Sequence, residues 1–395
     1  MTQQEKSELI DVIIYISNSK KKTGEDKVIL AKLTGISTKR LNRAHQYLEE
    51  LVCTGRIPGA SILVAGNGIP IEARSFGNMG LQSDSQQVQP DTIFLVASVT
   101  KPVTVAAVML LVERGKLLLD DPVYSIIPEF VNKGKEAITV RHLMTHTSGL
   151  PDMLPENTQL REQHAPLKEF VRRICDLELD FPAGTNIQYQ SCGIAILGEI
   201  VERITGSSLP EFLRSEFFSP LGMHNTSLGI GDLRTDRVAH VNVGQEMQKA
   251  DWEWNKSYWR NFGAPWGGMF STVNDMFRFC QTFMNGGEFD GTRVLSLATT
   301  IAMTSDQTTL MPNIPSKIKS GRVWGLGWRL QPTSDWSAFG DLVSPGSFGH
   351  YGATGTVVWA DPFSRVVCIL FTTQPSASAE GILGRCSNMV AASVI

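Results

Sequence analysis

A chain of 395 residues with 42% hydrophobic and 19% charged side chains carries enough apolar material for one large domain or two medium ones, which excludes wholesale disorder. Its net charge of -3, with one short basic run at Lys20, Lys21 and Lys22, offers no cationic face for nucleic acid or an anionic membrane. Six cysteines without a Cys-x-x-Cys spacing read as free, mostly buried thiols rather than a disulfide framework.

In chain order, residues 1–37 read as an N-terminal appendage, with a short helix over 8–16 and a polar loop over 17–26. Glu5 and Glu8 stand where a secretion signal would be positive, and Asp11 interrupts the apolar run that follows. No stretch approaches the roughly 20 apolar residues that span a bilayer, so the expected compartment is the cytoplasm. A helix is expected over 38–52, where Leu41, Ala44, Leu48, Leu51 and Val52 recur at helical spacing and Gly55 follows. Residues 60–65 and 71–76 read as strands of a hairpin turned at Gly66, Asn67 and Gly68. After a strand-like 92–96, a long helix is expected from Ser98 to Arg114, stopped by Gly115. It is apolar nearly all round, which places it inside the domain.

A helix-rich middle follows, with helices over 194–204, 209–217 and 272–284. Trp252, Trp254, Trp259 and Trp266 either border a pocket or belong to the core. Strands return at 323–330, 355–360 and 366–372, and a last helix is expected over 379–392. Strands at both ends with helices between imply an α+β fold. An antiparallel sheet is made by the N- and C-terminal segments, about 38–97 and 320–395, and flanked by helices, with a helical insertion at about 98–319.

The chemistry centres on Ser98-Val99-Thr100-Lys101. One helical turn apart, serine and lysine share a face. Ser17 with Lys20, Ser19 with Lys22 and Ser316 with Lys319 have the same spacing, but only Ser98 opens a buried apolar helix. A lysine acting as base near neutral pH needs its pKa lowered from about 10.4 by roughly 3 units, about 4 to 5 kcal/mol, which only a dry site imposes. The other reading is that Ser98 caps the helix and Lys101 is solvated. These residues alone leave both open.

An ordered series of motifs resembles the serine β-lactamase-like hydrolases, the family of class C β-lactamases and penicillin-binding-protein-like esterases. It runs from Phe94-Leu95-Val96-Ala97-Ser98-Val99-Thr100-Lys101 through His142-Leu143-Met144-Thr145-His146-Thr147-Ser148-Gly149-Leu150, Phe181-Pro182-Ala183-Gly184-Thr185, Tyr189-Gln190-Ser191, Pro220-Leu221-Gly222-Met223 and Gly267-Gly268-Met269 to His350-Tyr351-Gly352-Ala353, covering about residues 40–375. The resemblance implies a β-lactamase/DD-peptidase-like fold. It implies Ser98 as the acylated nucleophile and Lys101 as the group that takes its proton, directly or through Tyr189. Tyr189 would serve as base or as proton donor to the leaving group. The backbone N–H groups of Ser98 and Ala353 would form an oxyanion hole, each donor worth about 3 to 4 kcal/mol. Ser191, His350, Tyr351 and Gly352 would meet the substrate, with Gly352 letting the strand approach it closely.

Two departures stand out. Ser191 fills a position where the family commonly has asparagine, and a hydroxyl cannot offer both an amide donor and an amide acceptor. His350 stands where lysine is common, and histidine is mostly neutral at pH 7. Both weaken the case for a penicillin-like substrate and favour a carboxylesterase on small acyl esters. β-Lactam hydrolysis, D-amino-acid peptide hydrolysis and acyl transfer are alternatives on the same residues, and an inactive binding or assembly protein is the alternative of another class. The partner expected is a small-molecule ester or amide, with neither nucleic acid nor membrane; a homo-oligomer is compatible with the sequence. His142 and His146 have the i, i+4 spacing of metal ligands but lack the glutamate between them, and read as structural. No metal or organic cofactor is implied.

Overall fold

The computed structural model describes residues 24–81, 85–309, 311–331, 338–375 and 380–395. The helix expected over 8–16 lies outside them. Helix α1 (Gly24–Thr34) leads into α2 (Thr38–Cys53), whose N-terminus is capped by Ser37 accepting the Arg40 N–H. Strands β1 (Gly59–Gly66) and β2 (Ile69–Gly77) form the expected hairpin. Its turn places Asn67 and Gly68 at φ 54° and 80°, the left-handed pair that matches strand twist.

Strand β3 (Phe94–Leu95) precedes helix α3 (Thr100–Glu113), buried from Thr100 through Leu111. Helix α4 (Cys192–Thr205) packs against α3. Strands β4 (Ser227–Leu228) and β5 (Met269–Ser271) follow, then helix α5 (Val273–Met284). Strands β6 (Arg329–Leu330), β7 (Phe348–Gly352), β8 (Thr356–Asp361) and β9 (Val366–Thr372), with helix α6 (Ile382–Ala391), end the fold.

Six strands form one antiparallel sheet in the order β2-β1-β9-β8-β7-β6, so N- and C-terminal segments do pair, through β1 and β9. Alternation along the strands splits the core in two. Leu63, Ala65, Val358, Val367, Ile369 and Phe371 join the cluster of α3, α4 and α5. Ile62, Val64, Val357, Trp359, Cys368 and Leu370 join that of α2 and α6 on the opposite face. Strands buried on both faces read as the unbroken apolar runs seen at β1 and β9.

Several expectations need correction. The boundary at residue 37 separates nothing in the described residues. Leu30 and Ile36 are buried in the cluster of α2 and α6, and the Ser37 N–H donates to Ser393 O at 2.8 Å. The neighbouring apolar residues Val28 and Ile29 are exposed and the polar Thr34 is buried, so the stretch shows no clean apolar face to read. Strand β3 joins β5 and β4 in a separate three-stranded sheet rather than the main one. The strand expected over 323–330 shrinks to β6, and the helix expected over 209–217 is an α turn followed by a π turn, Arg214–Phe218. Among the described residues no helix is long and apolar enough to cross a membrane.

Candidate active site

Between β3 and α3 the chain makes a tight 3-10 turn, Ala97–Val99. Ala97 takes φ 46°, in the left-handed region costly for a residue with a Cβ. The surroundings hold it there. Thr100 Oγ1 donates to Ala97 O at 2.6 Å and accepts the Met269 N–H at 3.1 Å. Thr354 Oγ1 and Thr356 Oγ1 donate to Leu95 O and Val96 O, at 2.6 and 2.9 Å. The end of β7 and start of β8 are thereby tied to the segment that carries Ser98. Gly352 serves this approach. A Cβ there would lie 2.3 Å from Val96 O and 2.4 Å from Thr356 Oγ1, so its missing side chain admits the Ser98 segment, not substrate as expected from the sequence.

Lys101 is fully buried on α3, one turn beyond Ser98. Its Nζ lies 3.0 Å from Ser98 Oγ and donates to the carbonyl of Trp266 at 2.9 Å. Burial lowers the Lys101 pKa to about 7, against a smaller upward pull from the Asp152 carboxylate. The Tyr189 ring covers the amine, 4.7 Å from Nζ to ring centroid, and its hydroxyl hydrogen-bonds Ser98. Burial pushes this phenol well above its ordinary range, so it keeps its proton at neutral pH. Sequence reasoning left Tyr189 as base or donor; its surroundings favour the donor.

Behind Tyr189 stand two imidazoles and an indole. His146 lies 4.9 Å and His350 6.0 Å from the Tyr189 ring, and Trp324 lies 4.2 Å from His146. His146 is fully buried, and its Nδ1 accepts the Gln190 N–H at 3.2 Å. His350, expected to meet substrate, is 2% exposed and absent from the cleft wall. Its Nδ1 donates to Tyr351 O at 2.8 Å, and burial together with the Lys101 charge lowers its pKa to about 3. It is a neutral ring packed behind the phenol. Alternation along β7 turns Tyr351, not His350, to the cleft.

The open space before Ser98 is a cleft of about 260 Å³. Ser98, Tyr189, Ser191, Tyr351 and Ala353 line one part, and Asp152, Met153, Arg161, Trp254, Trp259 and Trp266 the rest. Three of the four tryptophans singled out in the sequence thus border a pocket. Ser191 Oγ donates to Asp152 Oδ1 at 2.8 Å, while the N–H groups of Ser191 and Cys192 donate to Asp152 O. Among the described residues, neither the Ser98 nor the Ala353 backbone N–H donates a hydrogen bond. The sequence reading missed Asp152 and Arg161. Asp152 lies two residues past the His142–Leu150 motif, a signal that could have been used; Arg161 on a short polar helix had none.

His142 and His146 do not converge. The His142 Nδ1 accepts the Thr139 N–H at 3.2 Å, capping a short helix, while His146 faces Tyr189. No group of three or more His, Cys, Asp or Glu able to hold a metal occurs among the described residues. The arrangement instead offers a hydroxyl beside a dry amine whose pKa allows it to be neutral, with a protonated phenol alongside.

Comparison with known proteins matches this chain to the Beta-lactamase family model over residues 44–384. Penicillin-binding protein 4 of Amycolatopsis lactamdurans is 32% identical over 323 residues, 80% of this chain and 81% of that protein. N-acetylmuramyl-L-alanine amidase of Bacillus subtilis (strain 168) is 26% identical over 388 residues, 89% and 84% of the two. Among solved structures, EstCE1, described as a hydrolase with promiscuous acyltransferase activity, superposes with a TM-score of 0.72 at 21% identity, over 90% of this chain and 98% of that one.

Proposed function

The chain belongs to the beta-lactamase family of serine hydrolases, and within that family we propose a carboxylesterase that acts on small acyl esters through an acyl-enzyme on Ser98. The observation that carries this reading is the buried Lys101 amine 3.0 Å from Ser98 Oγ, with its pKa lowered to about 7. At neutral pH a large share of such amines are unprotonated and can accept a proton.

In this mechanism Ser98 Oγ attacks the ester carbonyl carbon as its proton passes to Lys101 Nζ. The carbonyl oxygen becomes an oxyanion, met by the two unpaired N–H groups of Ser98 and Ala353. The tetrahedral intermediate collapses, the bond to the leaving alkoxide breaks, and the alkoxide takes a proton from the Lys101 ammonium, directly or through the Tyr189 hydroxyl. Water then attacks the acyl-enzyme, again giving its proton to Lys101, and Ser98 is regenerated as the acid departs. The Trp266 carbonyl holds Nζ in place and favours its protonated form as charge develops.

The ester preference rests on two features. The β7 position that carries lysine in the family's β-lactamases and peptidases holds a neutral, enclosed His350 here. Ser191 spends its hydroxyl on Asp152 rather than offering an amide to the substrate. Hydrolysis of p-nitrophenyl butyrate by wild type and by Ser98→Ala tests the reading, with nitrocefin and D-alanine p-nitroanilide as comparators. Turnover that vanishes with Ser98 and is faster for the ester supports it. Faster nitrocefin or anilide turnover would move the assignment to a β-lactamase or amidase, and equal rates for the two proteins would overturn it.

A further inference from the structure

Among the described residues, the Arg161 guanidinium has no carboxylate partner. The residue is 8% exposed and lines the same cleft as Ser98. Its Nε is sealed from solvent without a hydrogen-bond partner, and no ion pair or side-chain hydrogen bond to Arg161 is found among the described residues. What surrounds it is aromatic: the guanidinium carbon lies 4.3 Å from the Trp259 ring centroid and 5.7 Å from that of Trp252. Stacking on an indole orients the planar fork and leaves its N–H edge for a ligand. A structural arginine of this burial normally holds a carboxylate or carbonyl, because an unpaired buried charge is costly.

Burial lowers the Arg161 pKa to about 10, against a smaller upward pull from the Tyr258 phenol. The side chain therefore stays cationic at neutral pH. The one carboxylate in the cleft wall, Asp152, is engaged by Ser191 and acts on Lys101.

We propose that Arg161 is a carboxylate anchor, and that the substrates of this site are esters with a free carboxylate remote from the scissile bond. This rests on the cleft being the substrate site, as above, and adds the chemical class of what enters it. The planar fork would take the carboxylate through two N–H donors while the indoles exclude water around the pair. The anchor supplies from the cleft's tryptophan wall the cation that β7 lacks at His350.

The test separates binding from chemistry. Full-length Ser98→Ala protein is titrated at pH 7 with monomethyl adipate, an ester ending in a carboxylate, and with dimethyl adipate, its neutral counterpart. Tryptophan fluorescence reports binding, since Trp252 and Trp259 flank the guanidinium. The anion is expected to bind at least tenfold more tightly, the lower end for a charge-assisted hydrogen bond made in a buried site. Adding Arg161→Met should bring the anion-to-neutral ratio near one, and Arg161→Lys should restore part of it. Equal affinity for the two compounds in the protein that retains Arg161 would overturn the proposal. So would a loss in Arg161→Met that is equal for both, because a purely structural arginine acts on shape and not on charge. Failure of the esterase reading shows elsewhere, as absence of Ser98-dependent turnover in wild type, and leaves this ratio unaffected.

Discussion

The imidazole of His146 lies 4.9 Å from the phenol ring of Tyr189, at an interplanar angle of 42°, and its Nδ1 accepts the backbone N–H of Gln190, the next residue in the chain. One ring thus supports both the side chain and the backbone of the segment that reaches Ser98. Burial and the Lys101 charge hold its pKa well below the usual histidine range, so it stays neutral and keeps Nδ1 as an acceptor. His146 is a positioning residue in this account. His146→Ala is expected to lower kcat for p-nitrophenyl butyrate about ten- to hundredfold, a part of what a positioned proton donor contributes. The change in KM should be smaller, and the pH profile should stay where Lys101 sets it. Rates are normalised to active sites titrated with a fluorophosphonate; an unchanged kcat per labelled site would show that His146 matters only for folding.

The dry amine carries a stability cost whose pH dependence has a definite sign. The Lys101 pKa falls from 10.5 to about 7 on folding, so below pH 7 both states are charged and the folded one bears the full penalty. Between about 7 and 10.5 the folded protein sheds its proton first and stability rises with pH; above 10.5 the penalty is gone. A shift of this size corresponds to about 4 to 5 kcal/mol. Lys101→Met should therefore raise the urea midpoint at pH 6 and lose that advantage towards pH 10, as followed by circular dichroism. A midpoint difference independent of pH would contradict the assigned burial.

Asp152 raises the Lys101 pKa by its negative charge. Asp152→Asn keeps an oxygen to accept from Ser191 Oγ and removes the charge. The acidic limb of kcat/KM for p-nitrophenyl butyrate is expected to move to lower pH. A limb that stays in place, or moves up, would show that the carboxylate does not act on the amine.

Gly352→Ala tests the close approach of β7 to the Ser98 segment. The added Cβ meets a backbone carbonyl at 2.3 Å and a hydroxyl at 2.4 Å, both fixed by the Thr356 Oγ1 to Val96 O hydrogen bond. A destabilisation of about 1 to 3 kcal/mol is expected from such overpacking, measured by urea unfolding. Acylation should also slow, because Ala353 is the next residue. A variant as stable and as active as wild type would remove Gly352 from the account.

What the sequence made legible is what local spacing encodes. Ser98 and Lys101 are one turn apart, Ser98 in the 3-10 turn that leads directly into α3, so their meeting needed only that helical run and its apolar surroundings. Tyr189 was reached through a motif, and the structure brings it to the same place. The hairpin and β9 were readable from turn residues and apolar runs. Contacts between distant segments were not. The carbonyl that holds Lys101 is 165 positions away, and the indoles around Arg161 come from another part of the chain. His350 was read as facing substrate because a motif names residues without saying which side of the strand each takes. Residues 24–37 were read as an appendage because their apolar side chains do not gather on one face: Leu30 and Ile36 are buried while Val28 and Ile29 are exposed.

The central claim is that an unprotonated Lys101 takes the Ser98 proton. Its most direct test is the pH dependence of the acylation rate of Ser98, read as the pre-steady-state burst of p-nitrophenol with intact-mass detection of the acyl-enzyme. The expected rate rises with pH through an apparent pKa near 7 and then levels, with the adduct on wild type and absent from Ser98→Ala. A midpoint near the ordinary lysine value of 10.5, or a burst that survives in Lys101→Met, would contradict the account.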